Sequence, residues 1–380
     1  MKEHSKVKIK IAFVSPNAWT MFNFRREVLQ NILQCGYEVI IIAEQDRYAS
    51  LLISMGCRFV PVSVNNRSLN PTDDIRLFLR LKNVYKEYRP DFIFHYVVKP
   101  SIYGTLAAAI LRIPSIAIIT GLGHAFNKNN FISFLIKRLY HFALHYAYEV
   151  WCLNKEDAGF FEGNKIVPLN KIKILPGEGV NTKHFKKDSG TGSKNEVFTF
   201  LMSARLLNSK GINEYAEATL LLQQKGLICK CLLLGSIEEH PDAVSHELIN
   251  RWQRKQGLQY QGFTDNVKQY LGKADCFVYP SYYNEGIPRS LMEACCMELP
   301  VITTDNTGCR NLIIDGVNGF VCKKHDPVSL ANKMERMMQL NINDRTMMGK
   351  RGREIVETDY SMDNVMVYYN KLLETFFSGL

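Results

Sequence analysis

Short apolar runs alternate with longer stretches in which apolar residues recur every three to four positions. Runs at 8–14, 38–43, 58–62, 92–97, 115–120 and 149–153 are rich in Val, Ile and Phe. They read as parallel strands covered on both faces. Between them, 21–34, 72–88 and 101–111 carry helical periodicity. Strand and helix in strict alternation predict a doubly wound sheet.

The alternation pauses at Leu175-Pro-Gly-Glu-Gly-Val-Asn181 and across the polar stretch 186–196, which holds Gly190 and Gly192. A domain boundary is expected here. A second series follows, with strands at 197–203, 229–234, 259–261, 276–279 and 300–304 and helices at 212–225, 242–256 and 289–296. From Asp326 the chain reads as mostly helical, with Pro327 suited to a first helical turn. Ligands of such sheets bind outside the carboxyl ends of the strands.

A chain of 380 residues, 46% apolar and 22% charged, has the usage of a globular protein with two cores. Its ten cysteines form no CxxC pair and read as buried small hydrophobes rather than disulfides or metal ligands. No apolar run reaches the length of a membrane span or a signal-peptide core, so a cytoplasmic protein is expected. Charge is distributed unevenly. Residues 1–180 hold 23 Lys/Arg against 14 Asp/Glu, a balance of +9, and residues 181–380 hold 24 against 23. The excess in the first half points to an anionic partner there, such as membrane headgroups or a lipid diphosphate.

Two segments of the second half carry candidate chemistry. Ser281-Tyr-Tyr-Asn-Glu285-Gly-Ile-Pro-Arg-Ser-Leu-Met-Glu293 follows the strand at 276–279. Gly286 permits a ligand to approach the backbone, and the helix starting near Pro288 offers N–H groups to a phosphate. Glu293, inside that helix, is placed to accept hydrogen bonds from ribose hydroxyls. Ser203-Ala-Arg205-Leu-Leu-Asn-Ser-Lys210-Gly follows the first strand of the same half. Arg205 and Lys210 there can bind a diphosphate and stabilise its departure.

These two segments resemble those of the retaining glycosyltransferases of family 4. The resemblance runs over essentially the whole chain, including Gly177-Glu-Gly-Val-Asn181. It is strongest to bacterial enzymes that build O-antigen or capsule chains on a polyprenyl diphosphate, through Ser68-Leu-Asn-Pro71, Ile119-Thr-Gly-Leu-Gly123 and Gly262-Phe-Thr-Asp265. It implies the GT-B fold: two Rossmann-like domains, 1–178 for the acceptor and 179–360 for the donor, facing a central cleft. A final helix, 361–380, would cross back onto the first domain. Arg205 and Lys210 would hold the donor diphosphate, Glu293 the ribose, and Glu285 with Gly286 and Ile287 the transferred sugar and phosphate. Pro288 and Gly262 would border the donor. No cofactor is implied, and no side-chain nucleophile, because the departing diphosphate itself helps deprotonate the acceptor.

The first half departs from the family pattern. The loop Ser15-Pro-Asn-Ala-Trp-Thr20 lacks the usual glycine pair, leaving Asn17 and Arg25 to supply polar contacts. A histidine usual at the end of the strand at 115–120 is displaced here to His124, a candidate for touching the sugar; His95 is a second. The helical stretch 131–146 carries Lys137, Arg138, His141 and His145 along one side. It reads either as a core-packed helix with a basic edge or as an interfacial helix meeting anionic headgroups. No Asp-x-Asp, P-loop or G-x-G-x-x-G occurs, which argues against a metal-held donor, a kinase and a classical dehydrogenase.

The expected function is transfer of a sugar of Gal or GalNAc type, with α linkage, from a UDP-sugar to a polyprenyl-diphosphate-linked acceptor. The partners are then the donor, the lipid-linked acceptor and the inner face of the plasma membrane, with no nucleic acid. Two alternatives stand beside it. One is a sugar-nucleotide epimerase of the same fold, against which the Arg205/Lys210 pair counts. The other is a basic membrane- or nucleic-acid-binding protein, against which two glutamates beside a phosphate-binding helix count.

Overall fold

The computed structural model describes residues 8–64, 70–121, 131–187, 196–238, 240–283 and 285–378. His124 and the ends of two quoted motifs, Ser68-Leu69 and Leu122-Gly123, lie outside them. The chain divides into two compact units, Met1–Glu178 with Met362–Leu380, and Gly179–Ser361.

In the first unit a parallel sheet is built from β1 (Lys10–Asn17), β2 (Glu38–Glu44), β3 (Arg58–Pro61), β4 (Phe92–Tyr96), β5 (Ser115–Ile119), β6 (Glu149–Cys152) and β7 (Ile172–Ile174). Its order is β3-β2-β1-β4-β5-β6-β7, so chain order reverses between β1 and β4. β2, β4 and β5 are buried along nearly their whole length, as their unbroken Val/Ile/Phe runs require. One face is covered by α1 (Ala18–Gln34), α2 (Ala49–Ser54) and α14 (Met362–Phe377). The other face carries α3 (Pro71–Tyr88), α4 (Thr105–Ile110), α5 (Phe131–Leu144) and α6 (Lys155–Gly163). Tyr96 on β4 and Tyr369 on α14 join their hydroxyls at 2.7 Å, tying the final helix to the sheet.

The second unit holds β8 (Phe198–Ser203), β9 (Cys229–Leu234), β10 (Leu258–Tyr260), β11 (Cys276–Tyr279), β12 (Val301–Thr304) and β13 (Gly319–Cys322). Their order, β10-β9-β8-β11-β12-β13, reverses between β8 and β11. Its helices are α7 (Ile212–Gln224), α8 (His246–Lys255), α9 (Val267–Leu271), α10 (Arg289–Cys296), α11 (Thr307–Arg310), α12 (Pro327–Gln339) and α13 (Ile342–Asp359).

The helix expected from Asp242 starts four residues later. Ser245 caps α8 by accepting from the Leu248 N–H, because Asp242 has another partner, described below. The sequence reading passed over β7 and β13, which have three and four residues. β7, Ile-Lys-Ile, is interrupted by a charge and β13 opens on a glycine, so neither shows an unbroken apolar run.

Candidate active site

Two loops meet where the order of the second sheet reverses. The loop after β8 carries Arg205 and ends in a 3₁₀ turn, Asn208–Lys210. The loop after β11 carries residues 280–288. Each is fixed locally before any ligand arrives. Asp242 accepts hydrogen bonds from the Ser209 N–H, at 3.1 Å, and from the Ser209 hydroxyl. Gly211 closes the turn at φ +78°, where a Cβ would stand 2.2 Å from the Pro280 carbonyl oxygen. Only glycine lets the two loops lie so close.

The second loop is held from behind. Thr303 donates to the Tyr279 carbonyl at 2.7 Å, and Asn306 Nδ2 donates to the Tyr283 carbonyl at 2.6 Å. Lys324 Nζ in turn donates to Asn306 Oδ1 at 3.0 Å. At Gly308 a Cβ would lie 2.0 Å from the Gly286 carbonyl, so α11 presses directly on the glycine of the loop.

The loops bring Lys210 and Glu285 together, 75 positions apart in sequence. Lys210 is buried, and its Nζ is ion-paired to Glu285 Oε1. It also donates to the Tyr279 hydroxyl at 2.8 Å, and that hydroxyl donates to the same Glu285 oxygen at 2.9 Å. Burial pulls the Lys210 pKa below the ordinary lysine value, against the opposing pull of Glu285. Burial first, and then Glu285, push Tyr279 well above the ordinary phenol value, so its hydroxyl keeps its proton. Arg205 is the more exposed cation. Its guanidinium carbon lies 5.8 Å from the Tyr283 ring centroid, over which Lys210 Nζ sits at 4.7 Å. The expected pair of cations therefore shares one aromatic wall, with the deeper one anchored and the outer one beside Glu238 at 3.8 Å.

Glu293 lies on α10, where Arg289, one turn earlier, donates to its Oε1 at 3.0 Å. Burial raises its pKa above the ordinary carboxylate value, against the pull of Arg289. Pro288 caps α10 with no side-chain hydrogen bond to the helix's first N–H groups. Gly286, Ile287 and Pro288 are buried immediately ahead of it. Gly262 turns the chain after β10 at φ +78°, its carbonyl accepting from the Gly235 N–H at 3.0 Å.

Sequence reasoning missed Tyr279 and Asp242 as members of this site. Tyr279 reads as the last residue of an apolar strand, and Asp242 as a helix start. The one available signal was the position of Tyr279 at the carboxyl end of the strand preceding the Glu285 loop.

The first unit corrects two expectations. His95 does not face an open site. It is fully buried on β4, its Nε2 at 2.9 Å from the Tyr85 hydroxyl and its Nδ1 at 3.3 Å from the Thr105 hydroxyl. Burial lowers its pKa to about 3, which keeps it neutral. Arg25 is also interior. It is ion-paired to Glu178 at 2.8 Å and stacked 4.1 Å over the Tyr96 ring. A small cavity lined by both, with Val28, Ile118, Leu153 and Tyr369, surrounds the pair. Asn17 Oδ1 caps α1 by accepting from the Thr20 N–H at 3.0 Å. Lys137 donates to Asn164 at 3.0 Å, and Arg138 lies on the exposed side of α5.

Comparison with known proteins accords with this geometry. A family described as glycosyl transferases group 1 matches residues 184–355, and one described as glycosyl transferase 4-like matches residues 10–154. The chain belongs to these glycosyltransferases. The same residues 184–355 contain Arg205, Lys210, Glu285 and Glu293. This glycosyltransferase is 28% identical over 346 residues to the N,N'-diacetylbacillosaminyl-diphospho-undecaprenol α-1,3-N-acetylgalactosaminyltransferase of Campylobacter jejuni, covering 87% of this chain and 90% of that one. It is 26% identical to the UDP-Gal:α-D-GlcNAc-diphosphoundecaprenol α-1,3-galactosyltransferase of Escherichia coli, covering 88% of each. A solved glycosyltransferase from Rickettsia africae superposes with a TM-score of 0.78 at 20% identity, over 97% of this chain and 99% of that one. Anabaena HepE in complex with UDP-glucose gives 0.79 at 17% identity, over 98% and 100%. The fold is GT-B, as the resemblance implies.

Proposed function

We propose that this glycosyltransferase moves a sugar of Gal or GalNAc type from its UDP donor to a glycan on a polyprenyl diphosphate, forming an α linkage with retention. The observation that carries the reading is the buried Lys210–Tyr279–Glu285 network at the reversal point of the second sheet. It places a fixed positive charge beside a carboxylate, next to a helix start that no side chain caps.

In the reaction, Arg205 and Lys210 neutralise the donor diphosphate as the bond from the anomeric carbon to its oxygen breaks. The acceptor hydroxyl oxygen forms the new bond on the same face, and its proton passes to the departing diphosphate. Glu285 holds the transferred sugar through its second carboxylate oxygen. Glu293 keeps one oxygen for the ribose while Arg289 takes the other. The two cations do the work a divalent metal would do, so no metal is required. The names of the Campylobacter and Escherichia coli relatives, both acting on undecaprenyl-diphosphate-linked sugars, support the acceptor class. The acceptor lipid sets the workplace at the inner face of the plasma membrane.

The test is a panel of nucleotide sugars assayed against a polyprenyl-diphosphate-linked sugar, with chelator present and absent. The reading expects one UDP-hexose or UDP-N-acetylhexosamine to be used, an α anomer in the product's proton spectrum, and unchanged turnover in chelator. A β product, or transfer that stops in chelator, contradicts the corresponding part of it.

A further inference from the structure

Both cations assigned to the donor lie against one ring, that of Tyr283. Lys210 Nζ stands 4.7 Å over its centroid, and the Arg205 guanidinium carbon stands 5.8 Å over it. Each cation also has an acidic neighbour, Glu285 for Lys210 and Glu238 for Arg205. Tyr283 spans the pair. Like charges drawn together repel, and Arg205 adds to the burial that pulls the Lys210 pKa down.

The backbone beneath the ring is fixed without help from the cations. The Tyr283 N–H donates to the Ser281 hydroxyl at 3.2 Å, and its carbonyl accepts from Asn306 Nδ2 at 2.6 Å. Asn306 is buried and held in turn by Lys324. Ser281, fully buried, donates to the Ser209 carbonyl at 3.4 Å, within the turn that ends at Lys210. Both loops of the site therefore set the position of Tyr283. Burial raises its phenol above the ordinary value, with the Arg205 charge pulling the other way, so a neutral ring faces the cations.

A neutral aromatic face attracts a cation without cancelling its charge. A carboxylate competes with an incoming phosphate for the same ammonium or guanidinium, whereas a ring holds the cation and leaves its charge to the ligand. Two linked phosphates need two cations at a set spacing, and cations already in place need not reorganise as the sugar departs.

We propose that Tyr283 is a positioning residue of the donor site, whose ring holds Arg205 beside Lys210 so that both cations close on one nucleotide diphosphate. The proposal rests on the donor-site reading of these two loops.

The test titrates UDP and UMP into the full chain by calorimetry, beside Tyr283→Leu and Tyr283→Phe variants shown to be folded by circular dichroism. Wild type is expected to bind UDP more tightly than UMP. Tyr283→Leu is expected to weaken UDP about tenfold and UMP about threefold or less, because the second phosphate is the one that needs both cations. Tyr283→Phe keeps the ring and is expected to bind UDP within about threefold of wild type. A trifluorinated phenylalanine at position 283 keeps the size of the ring but drains its negative face. It is expected to bind UDP about fivefold more weakly than Tyr283→Phe does, and it decides the matter if Tyr283→Leu fails to fold. Unchanged UDP affinity in Tyr283→Leu or in the fluorinated variant overturns the proposal. So does a Phe variant as weak as the Leu variant, since the hydroxyl then acts and not the ring. An equal loss of UDP and UMP also overturns it, since the loop then fails as a whole. A wild type that binds UDP no more tightly than UMP counts against the donor-site reading, and the proposal falls with it.

Discussion

Both sheets begin in the same order of first appearance, 3-2-1-4-5-6, the first continuing to a seventh strand, and each reverses between its first and fourth strands. At that point the second unit gathers Lys210 and Glu285 from loops far apart in sequence and leaves Arg205 at the surface beside them. The first unit does the reverse with its polar residues. His95, on the fourth strand, holds Tyr85 and Thr105 inside the protein, and Arg25, on the helix after the first strand, is ion-paired to Glu178. The same topology thus gathers a charged cluster between two loops in one unit and pairs its polar residues inward in the other. Polar residues near a reversal point are therefore informative only together with their burial and their partners.

The contrast would break first at Arg25. Arg25→Met leaves Glu178 without its ion partner, and loss of one member of a buried pair costs about 3 kcal/mol. Denaturant unfolding should show that loss while the KM for donor stays at the wild-type value. A raised donor KM with unchanged stability would make Arg25 a binding residue after all. Lys210→Ala should do the opposite, lowering kcat/KM about a hundredfold, or about 2.7 kcal/mol of barrier, with the fold retained by circular dichroism.

His95 gives the comparison a pH signature. Its folded pKa lies near 3 and the unfolded value near 6.5, so between these limits the unfolded chain binds the extra proton. Stability from neutral His95 is complete above pH 6.5 and is lost as pH falls. Between pH 6.5 and 5 the loss is about 1.6 kcal/mol. His95→Gln should flatten that slope in urea titrations at several pH values, and an unchanged slope would remove His95 as its source.

The smallest of these effects is expected at Tyr279. Tyr279→Phe removes the hydroxyl that bridges Lys210 and Glu285 and should lower kcat about tenfold, or about 1.4 kcal/mol, with little change in donor KM. A change in KM alone would reduce the bridge to a packing contact.

Much of this was legible before any coordinates. Parallel strands buried on both faces leave unbroken apolar runs, and the loop segments holding Arg205, Lys210, Glu285 and Glu293 carry their own glycine and proline marks. Partners across the fold were not legible. Nothing local marks Glu178 as the partner of Arg25, 153 positions away, or Asp242 as the anchor of Ser209. His95 looked like a candidate because a histidine at a strand end carries chemistry whichever way it points. Its inward direction is set by Tyr85 and by the close approach of Gly104, whose Cβ would lie 2.5 Å from the imidazole ring.

The central claim is that the loops after β8 and β11 form the donor site, and UDP titration tests it most directly. Wild type should bind UDP with a rise in melting temperature that grows with ligand concentration, and a folded Arg205→Ala/Lys210→Ala variant should show none. An equal rise in that double variant would mean that UDP is held elsewhere, and would contradict the account.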